Sequence, residues 1–500
     1  MGIAALVVVG VAAAASGRGG DARTSAQTLV VGYRTRLDLA HALRGGGIVV
    51  RRLPALHAVE LHTAEPASSL RRAPGIRFVS VPVARVSADE PALARSPASA
   101  AAAWEWEYAG AHEDGVPADV LRAAASIRIA VIDTGADLTA PDLASKSPTS
   151  YNTRTGTGDV LDVNGHGTFV ASIAAGSVTD GDGMDGFGGD AQLLVVKAGS
   201  DGGTFTDVDE AAGIMYAIDH GAKIVNLSFG GPGTTPIERN AIRYAFKQGA
   251  LVVAAAGNEY GQGNPVEYPA ALLQPVGSDG AGGAGLSVGA SNQAGTRAGF
   301  SNTGTWLSLA APGTSVFGDV SSLSSPVSYP RAALPGAPDG LYGYASGTSF
   351  AAPQVAGAAA LVWAANPSLT AQEVAQILKQ TATGQGRWTP QLGFGVIDVA
   401  AAVAAAQAGR PGVLLSGNRV RSKLHLTWSG DASRYTLTLT SAGASRVVLQ
   451  ETSDTSAWLT LKPGRAYAFT VSAIDSSGAT AATSAPLAVA MPGKRETAGG

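Results

Sequence analysis

Four uninterrupted apolar stretches frame the middle of the chain: "IRIAVID" ending at Asp133, "AQLLVVKAG", "AKIVNLS" ending at Ser228, and "ALVVAAAGN" ending at Asn258. Apolar runs without alternation mark strands covered on both faces, as in a parallel sheet flanked by helices. Between them, "FTDVDEAAGIMYAIDHG" and "PIERNAIRYAFKQG" carry apolar residues at helical spacing and close on glycine. Strand and helix thus alternate over residues 104–408, which predicts an α/β domain with a mainly parallel central sheet. In such sheets chemistry gathers beyond the carboxyl ends of the strands. The residues that follow each run are therefore the ones to inspect.

On either side the period changes. Residues 27–86 read strand, helix, strand, strand, helix, strand ("TLVVGYR", "DLAHALRGG", "GIVVRRL", "HAVELH", "PASSLRRAP", "IRFVSVPV"), a small α+β unit that can bury one sheet face under two helices. Residues 87–103, "SADEPALARSPASAAAA", have no amphipathic period and read as a linker. Residues 411–491 switch to period two: Leu424, Leu426 and Trp428, then Tyr435, Leu437 and Leu439, then Tyr467, Phe469, Val471 and Ala473. With turn signals at "KPGR" and "DSSG", that pattern predicts an all-β sandwich.

Composition narrows the class. With 45% hydrophobic and 15% charged residues and a net charge of -3, the chain is globular and has no pull toward nucleic acid. The absence of cysteine excludes disulfides, thiolate metal sites and a cysteine nucleophile. The apolar run at residues 3–15 is too short to span a bilayer comfortably and ends in Ala13-Ala14-Ala15 before Ser16. Residues 1–16 accordingly read as an export signal peptide. The mature protein is then secreted, free or cell-surface associated, with no stable membrane span. A retained anchor or a displaced start is the alternative, because no Lys or Arg precedes the run.

Three residues stand out beyond the ends of elements. Asp133, in "AVIDTGAD", would alone be a turn residue or a helix cap. His166, in "DVNGHGTFVASIAAGS", opens an Ala/Ile helix between two glycines, whose missing side chains would let a substrate backbone approach the imidazole. Ser349, in "SGTSFAAPQVAG", sits at the start of a helix, where unpaired N–H groups and the positive end of the dipole face any charge developing on its oxygen; simple capping is the alternative. Asp, His and Ser follow in this chain order within one α/β domain, each at the end of an element.

The stretches "VIDTGAD", "NGHGTFVA", "AAAGN" and "SGTSFAAPQVAG" closely resemble the signatures of subtilisin-like serine proteases, and the resemblance covers residues 104–408. It implies a three-layer subtilisin-like fold and a serine endopeptidase that works through an acyl-enzyme. Ser349 would be the nucleophile, His166 the base and then the acid, Asp133 the orienting carboxylate, and Asn258 the side-chain donor to the oxyanion. Phe350 departs from the Met or Leu more usual after the nucleophile, and repacking there is expected. Substrate peptides would bind extended along Ser228-Phe229-Gly230, opposite a second edge near Gly203-Thr204-Phe205, with Ala255-Ala256-Gly257 as a small-residue wall. No charge is evident in those walls, which predicts apolar or aromatic residues before the scissile bond.

No cofactor is required for this chemistry. Asp142 and Asp180 match positions of a structural calcium site in the family, with solvated loop acids as the alternative. The 27–86 unit resembles the family's inhibitory propeptide, which would make the chain a zymogen whose partners are protein substrates and its own propeptide. The C-terminal sandwich resembles a fibronectin type III module, and the protein is expected to be a monomer. Two other functions use the same residues: anchoring on a catalytically dead scaffold, and peptide ligation by the acyl-enzyme.

Overall fold

The uninterrupted apolar runs become strands of one seven-stranded parallel sheet. The computed structural model describes residues 26–87, 115–177, 184–280, 283–326, 328–332, 341–409, 412–420, 423–430, 432–484 and 486–491. The expected signal peptide, all but the first residue of the expected linker, and Asp180 lie outside these residues. From one edge to the other the strands are Leu309–Pro312, Gly285–Ser291, Leu251–Ala255, Ile224–Leu227, Arg128–Asp133, Gln192–Lys197 and Thr149–Asn152. Every neighbouring pair is parallel.

Both faces of this sheet are covered, which is why its strands do not alternate. Ile129, Val131 and Val253 join one core with the helix Thr348–Ala365, while Ala130, Ile132 and Val252 join the other with helices Asp207–Asp219 and Pro236–Lys247. Each large aliphatic side chain buried this way contributes about 1.5–3 kcal/mol. Strands Arg128–Asp133 and Ile224–Leu227 are neighbours from which the connections lead outward in opposite directions, leaving a crevice beyond their carboxyl ends. Asp133 ends the first of these strands and Ser228 follows the second, so both stand at that crevice.

The N-terminal unit has the expected element order. Its antiparallel sheet runs Ile48–Leu53, Ala58–Thr63, Gln27–Tyr33, Ile76–Ser80. Period two divides its strands between two cores. Leu29, Val31 and Leu61 pack under Leu39 and Leu70 of its two helices, whereas Val30 and Ala58, with Leu53 and Leu56, join the core containing Val208, Ile237 and Ile242 of the central domain. Arg51 Nη2 reinforces this docking through Asp209 Oδ1 at 2.8 Å. The chain then enters a short strand, Ala84–Ser87, lying between Phe229–Gly230 and Thr204–Thr206 and antiparallel to both.

The C-terminal residues form two facing sheets. One contains Leu414–Val420, Lys423–Ser429 and Ser456–Thr460; the other contains Ala444–Thr452, Arg434–Ser441, Ala466–Ile474 and Thr480–Thr483, with Leu487–Ala490 also pairing Ala466–Ile474. Leu424, Leu426, Trp428, Tyr435, Leu437, Leu439, Phe469 and Val471 fill the space between them, as the alternation predicts. Among the described residues no helix is long and apolar enough to cross a membrane.

Candidate active site

Asp133 is the last residue of its strand, and the N–H of Thr134 donates to its Oδ1 at 2.7 Å. The same oxygen lies 2.7 Å from Nδ1 of His166, the first residue of the helix His166–Ala175. Both side chains are 1% exposed, so water does not compete for this contact. A carboxylate at Nδ1 fixes the ring's orientation and leaves Nε2 as the nitrogen that can take a proton.

Asp162 holds the histidine helix in place. Its Oδ1 accepts from Thr134 Oγ1 (2.8 Å) and the Gly165 N–H (2.9 Å), and its Oδ2 accepts from the N–H (2.8 Å) and Oγ1 (2.7 Å) of Thr168. Thr134 Oγ1 in turn accepts the Gly167 N–H at 2.9 Å, tying the aspartate strand to the histidine helix. Asp162 belongs to none of the motifs above, although an acid just ahead of a helix start is a capping signal. The two glycines meet protein rather than substrate. A Cβ on Gly167 would fall 2.1 Å from the Gly135 carbonyl oxygen, and Gly165 has φ +96° with Ser324 and Tyr329 against it. They admit neighbouring protein, and the substrate need not be invoked.

Ser349 is the second residue of the helix Thr348–Ala365. Pro353, four residues on, has no N–H to donate to the Ser349 carbonyl. The Ser228 hydroxyl supplies the missing donor at 2.8 Å and itself accepts from Asn226 Nδ2 at 2.9 Å. In return the Ser349 hydroxyl donates to the Ser228 carbonyl at 3.1 Å. The proline therefore links the serine turn to the carboxyl end of the neighbouring strand.

Asn258 meets this turn from the other side. Its Oδ1 accepts the Thr348 N–H (2.9 Å) and Oγ1–H (3.0 Å), while the Gly257 N–H donates to Thr348 Oγ1 (3.0 Å). These bonds orient the amide so that Nδ2 lies beside Gly347, 3.2 Å from where a Cβ there would stand. Phe350, buried behind the serine, packs edge-on against Phe169 (4.7 Å) and lies 5.6 Å from the His166 ring. The Phe350 ring thus lies against both the histidine helix and the histidine itself.

A cavity of about 310 Å³ opens beside these residues, lined by Phe229, Gly230, Ala255, Gly257 and the acids Glu259 and Glu267. Ala256, just past the end of the strand Leu251–Ala255, is buried in the core. The walls are not uncharged as expected, because an isolated bridge between Gly231 and Tyr268 brings Glu267 into them from outside any motif. Burial, reinforced by the neighbouring Glu259 charge and partly offset by Arg85, pushes the Glu267 carboxyl up to about 7.

Asp142 lies away from this rim. It is buried against Asp319, whose Oδ2 accepts the Asp142 N–H at 3.2 Å. Burial, and then the charge of Asp142, raise the Asp319 carboxyl well above its ordinary range, so the two acids do not both ionise. A hard cation wants six to eight oxygens. Among the described residues no three acids or histidines gather to hold one, and Asp180 lies outside those residues.

The subtilase family matches residues 124–395, and the chain belongs to that family. It is 37% identical over 264 residues to a thermophilic serine proteinase of Bacillus sp. (strain AK1), covering 53% of this chain and 58% of that one. It is 37% identical over 256 residues to a cell wall-associated protease of Bacillus subtilis (strain 168), 51% of this chain and 25% of that one. With subtilisin DY of Bacillus licheniformis the identity is 33% over 286 residues, 56% of this chain and 91% of the relative. Among solved structures, fervidolysin from Fervidobacterium pennivorans, a keratinolytic enzyme related to subtilisin, shares the fold with a TM-score of 0.63 at 20% identity, over 92% of this chain and 88% of that one.

Proposed function

We propose that the protein is an exported serine endopeptidase, made as a zymogen, and that Asp133, His166 and Ser349 carry its chemistry. The observation that carries this reading is the buried 2.7 Å contact between Asp133 and His166 Nδ1, at the rim where the serine helix also begins. His166 Nε2 takes the Ser349 hydroxyl proton as Oγ bonds to the scissile carbonyl carbon. The carbonyl oxygen becomes an oxyanion held by Asn258 Nδ2 and the Ser349 N–H. The imidazolium, stabilised by Asp133, then gives its proton to the leaving amine as the C–N bond breaks. Water, deprotonated by the same nitrogen, releases the acid product and frees the serine.

The N-terminal unit acts as the inhibitory propeptide. Its support is the strand Ala84–Ser87, which fills the groove between Phe229–Gly230 and Thr204–Thr206, where an extended substrate would pair. The C-terminal sandwich is a fibronectin type III-like module. Trp428 is buried between its sheets, and the Tyr467 hydroxyl accepts the Lys462 N–H at 3.0 Å, five residues back, as in the tyrosine corner of such folds. Export is supported by the leader-like residues 1–16, and the protein works as a monomer on protein substrates. The test is the mass of purified wild type and Ser349→Ala. Wild type should lose its N-terminal unit at a point within residues 83–103 while the variant stays whole; identical processing of both would refute self-cleavage.

A further inference from the structure

Arg85 is the single charged residue of the strand Ala84–Ser87 and is 1% exposed. Its Nη2 donates to Glu238 Oε1 at 2.5 Å and its Nε lies 3.5 Å from Glu210 Oε2, while Nη1 turns back to its own Ala84 carbonyl at 3.0 Å. Glu210 and Glu238 belong to the helices Asp207–Asp219 and Pro236–Lys247 of the central domain and have fully buried side chains. Glu210 lies against both Glu238 and Arg85, so the guanidinium serves the two acids as one pair. Beside them Asp207 Oδ1 accepts the Val83 N–H at 3.0 Å, and burial together with the neighbouring Glu238 holds the Glu210 carboxyl well above its ordinary range.

The pairing register locates this pocket relative to the chemistry. Val86 faces Gly230 and Ser87 faces Phe229. One further step along the same ladder brings a substrate residue opposite Ser228, whose carbonyl holds the Ser349 hydroxyl at 3.1 Å. The residue at the attacked carbonyl is therefore preceded, three positions earlier, by the one whose side chain enters the Glu210–Glu238 pocket.

On the reading that this groove binds substrate, we propose that Glu210 and Glu238 form a specificity pocket for an arginine three positions before the residue whose carbonyl is attacked, and that Arg85 fills it in the uncleaved chain. When Arg85 leaves, a buried acid pair loses its one cation, and an apolar side chain cannot replace it. The acids approach different nitrogens, so a planar guanidinium serves both where a lysine ammonium reaches one.

Peptides identical except for Arg, Lys or norleucine at that position test the pocket on the processed enzyme. The Arg peptide should exceed the norleucine peptide in kcat/KM by about tenfold or more, with Lys between, as expected of a charged hydrogen bond. The ratio should collapse toward one in the Glu210→Gln/Glu238→Gln variant. Equal kcat/KM for Arg and norleucine peptides in wild type would overturn the proposal while leaving the protease reading intact. A second arm needs no turnover. In the full chain carrying Ser349→Ala, Arg85→Met should speed deuterium exchange at the backbone amides of residues 84–87 by about tenfold or more, and should make no difference once Glu210 and Glu238 are glutamines. Unchanged exchange in Arg85→Met would overturn the pocket; accelerated exchange with no peptide cleaved would sustain the pocket and overturn the protease reading alone.

Discussion

The reactive rim and the Glu210–Glu238 pocket lie along one groove and solve the problem of buried polar groups in opposite ways. At the rim the partners are permanent: Asp162 accepts four hydrogen bonds and Asn258 Oδ1 two, all from the central domain itself. In the pocket the cation on Glu210 and Glu238 comes from the N-terminal unit, which makes it exchangeable on the proposed propeptide reading. Permanent partners hold reacting groups in place without reorganisation. An exchangeable partner lets one set of acids hold an inhibitor first and select a substrate afterwards.

If that division is right, damage at the rim should strike kcat. Ser349→Ala or His166→Ala is expected to lower kcat by about a million-fold, the scale known for subtilisin itself, and the double variant should lose no more than either alone. Additive losses would show that the two do not act as a unit. Asn258→Leu should cost about a hundred- to a thousand-fold in kcat with little change in KM, again the subtilisin range; a change confined to KM would assign Asn258 to substrate binding. Asp162→Ala strips donors of their only fixed acceptor and should lower unfolding stability by about 2–4 kcal/mol in a urea titration. Ser228→Ala leaves the Ser349 carbonyl without the donor that Pro353 cannot supply, a loss of about 1 kcal/mol and on the order of tenfold in kcat.

The smallest effect is one of pH. With its carboxyl raised to about 7, Glu267 is neutral below that value and anionic above it. Preference for lysine over norleucine immediately before the scissile bond should therefore rise a few-fold from pH 6 to pH 8, by the attraction of one partly solvated charge pair. Glu267→Gln should flatten that rise, and an unchanged slope would exclude Glu267 from the cavity's selectivity.

The two regions also differ in how far the sequence discloses them. Asp133, Ser228 and Asn258 each follow a continuous apolar run, and parallel connectivity carries all such ends to one rim, so their meeting is implied by the pattern. His166 and Ser349 open helices that pack together in one core, and their flanking motifs are local. Glu210 and Glu238 instead look like acids in the first turns of amphipathic helices, where the dipole and solvent both suit them. In the fold their side chains are fully buried, and Arg85, far away in the chain, lands between them. Glu267 is likewise delivered by a single bridge, and the Asp142–Asp319 pair joins residues 177 apart. No periodicity reports such long-range encounters between single charges. Asp162 is the exception on the other side, a local capping signal four residues ahead of His166.

Covalent capture at the nucleophile tests the account most directly. Purified wild-type protein would be treated with a fluorophosphonate and digested, and the adduct located by mass. The expected result is one phosphonylated residue, Ser349, with labelling lost in Ser349→Ala and sharply slowed in His166→Ala. An adduct on another serine, or labelling that ignores His166, would contradict it.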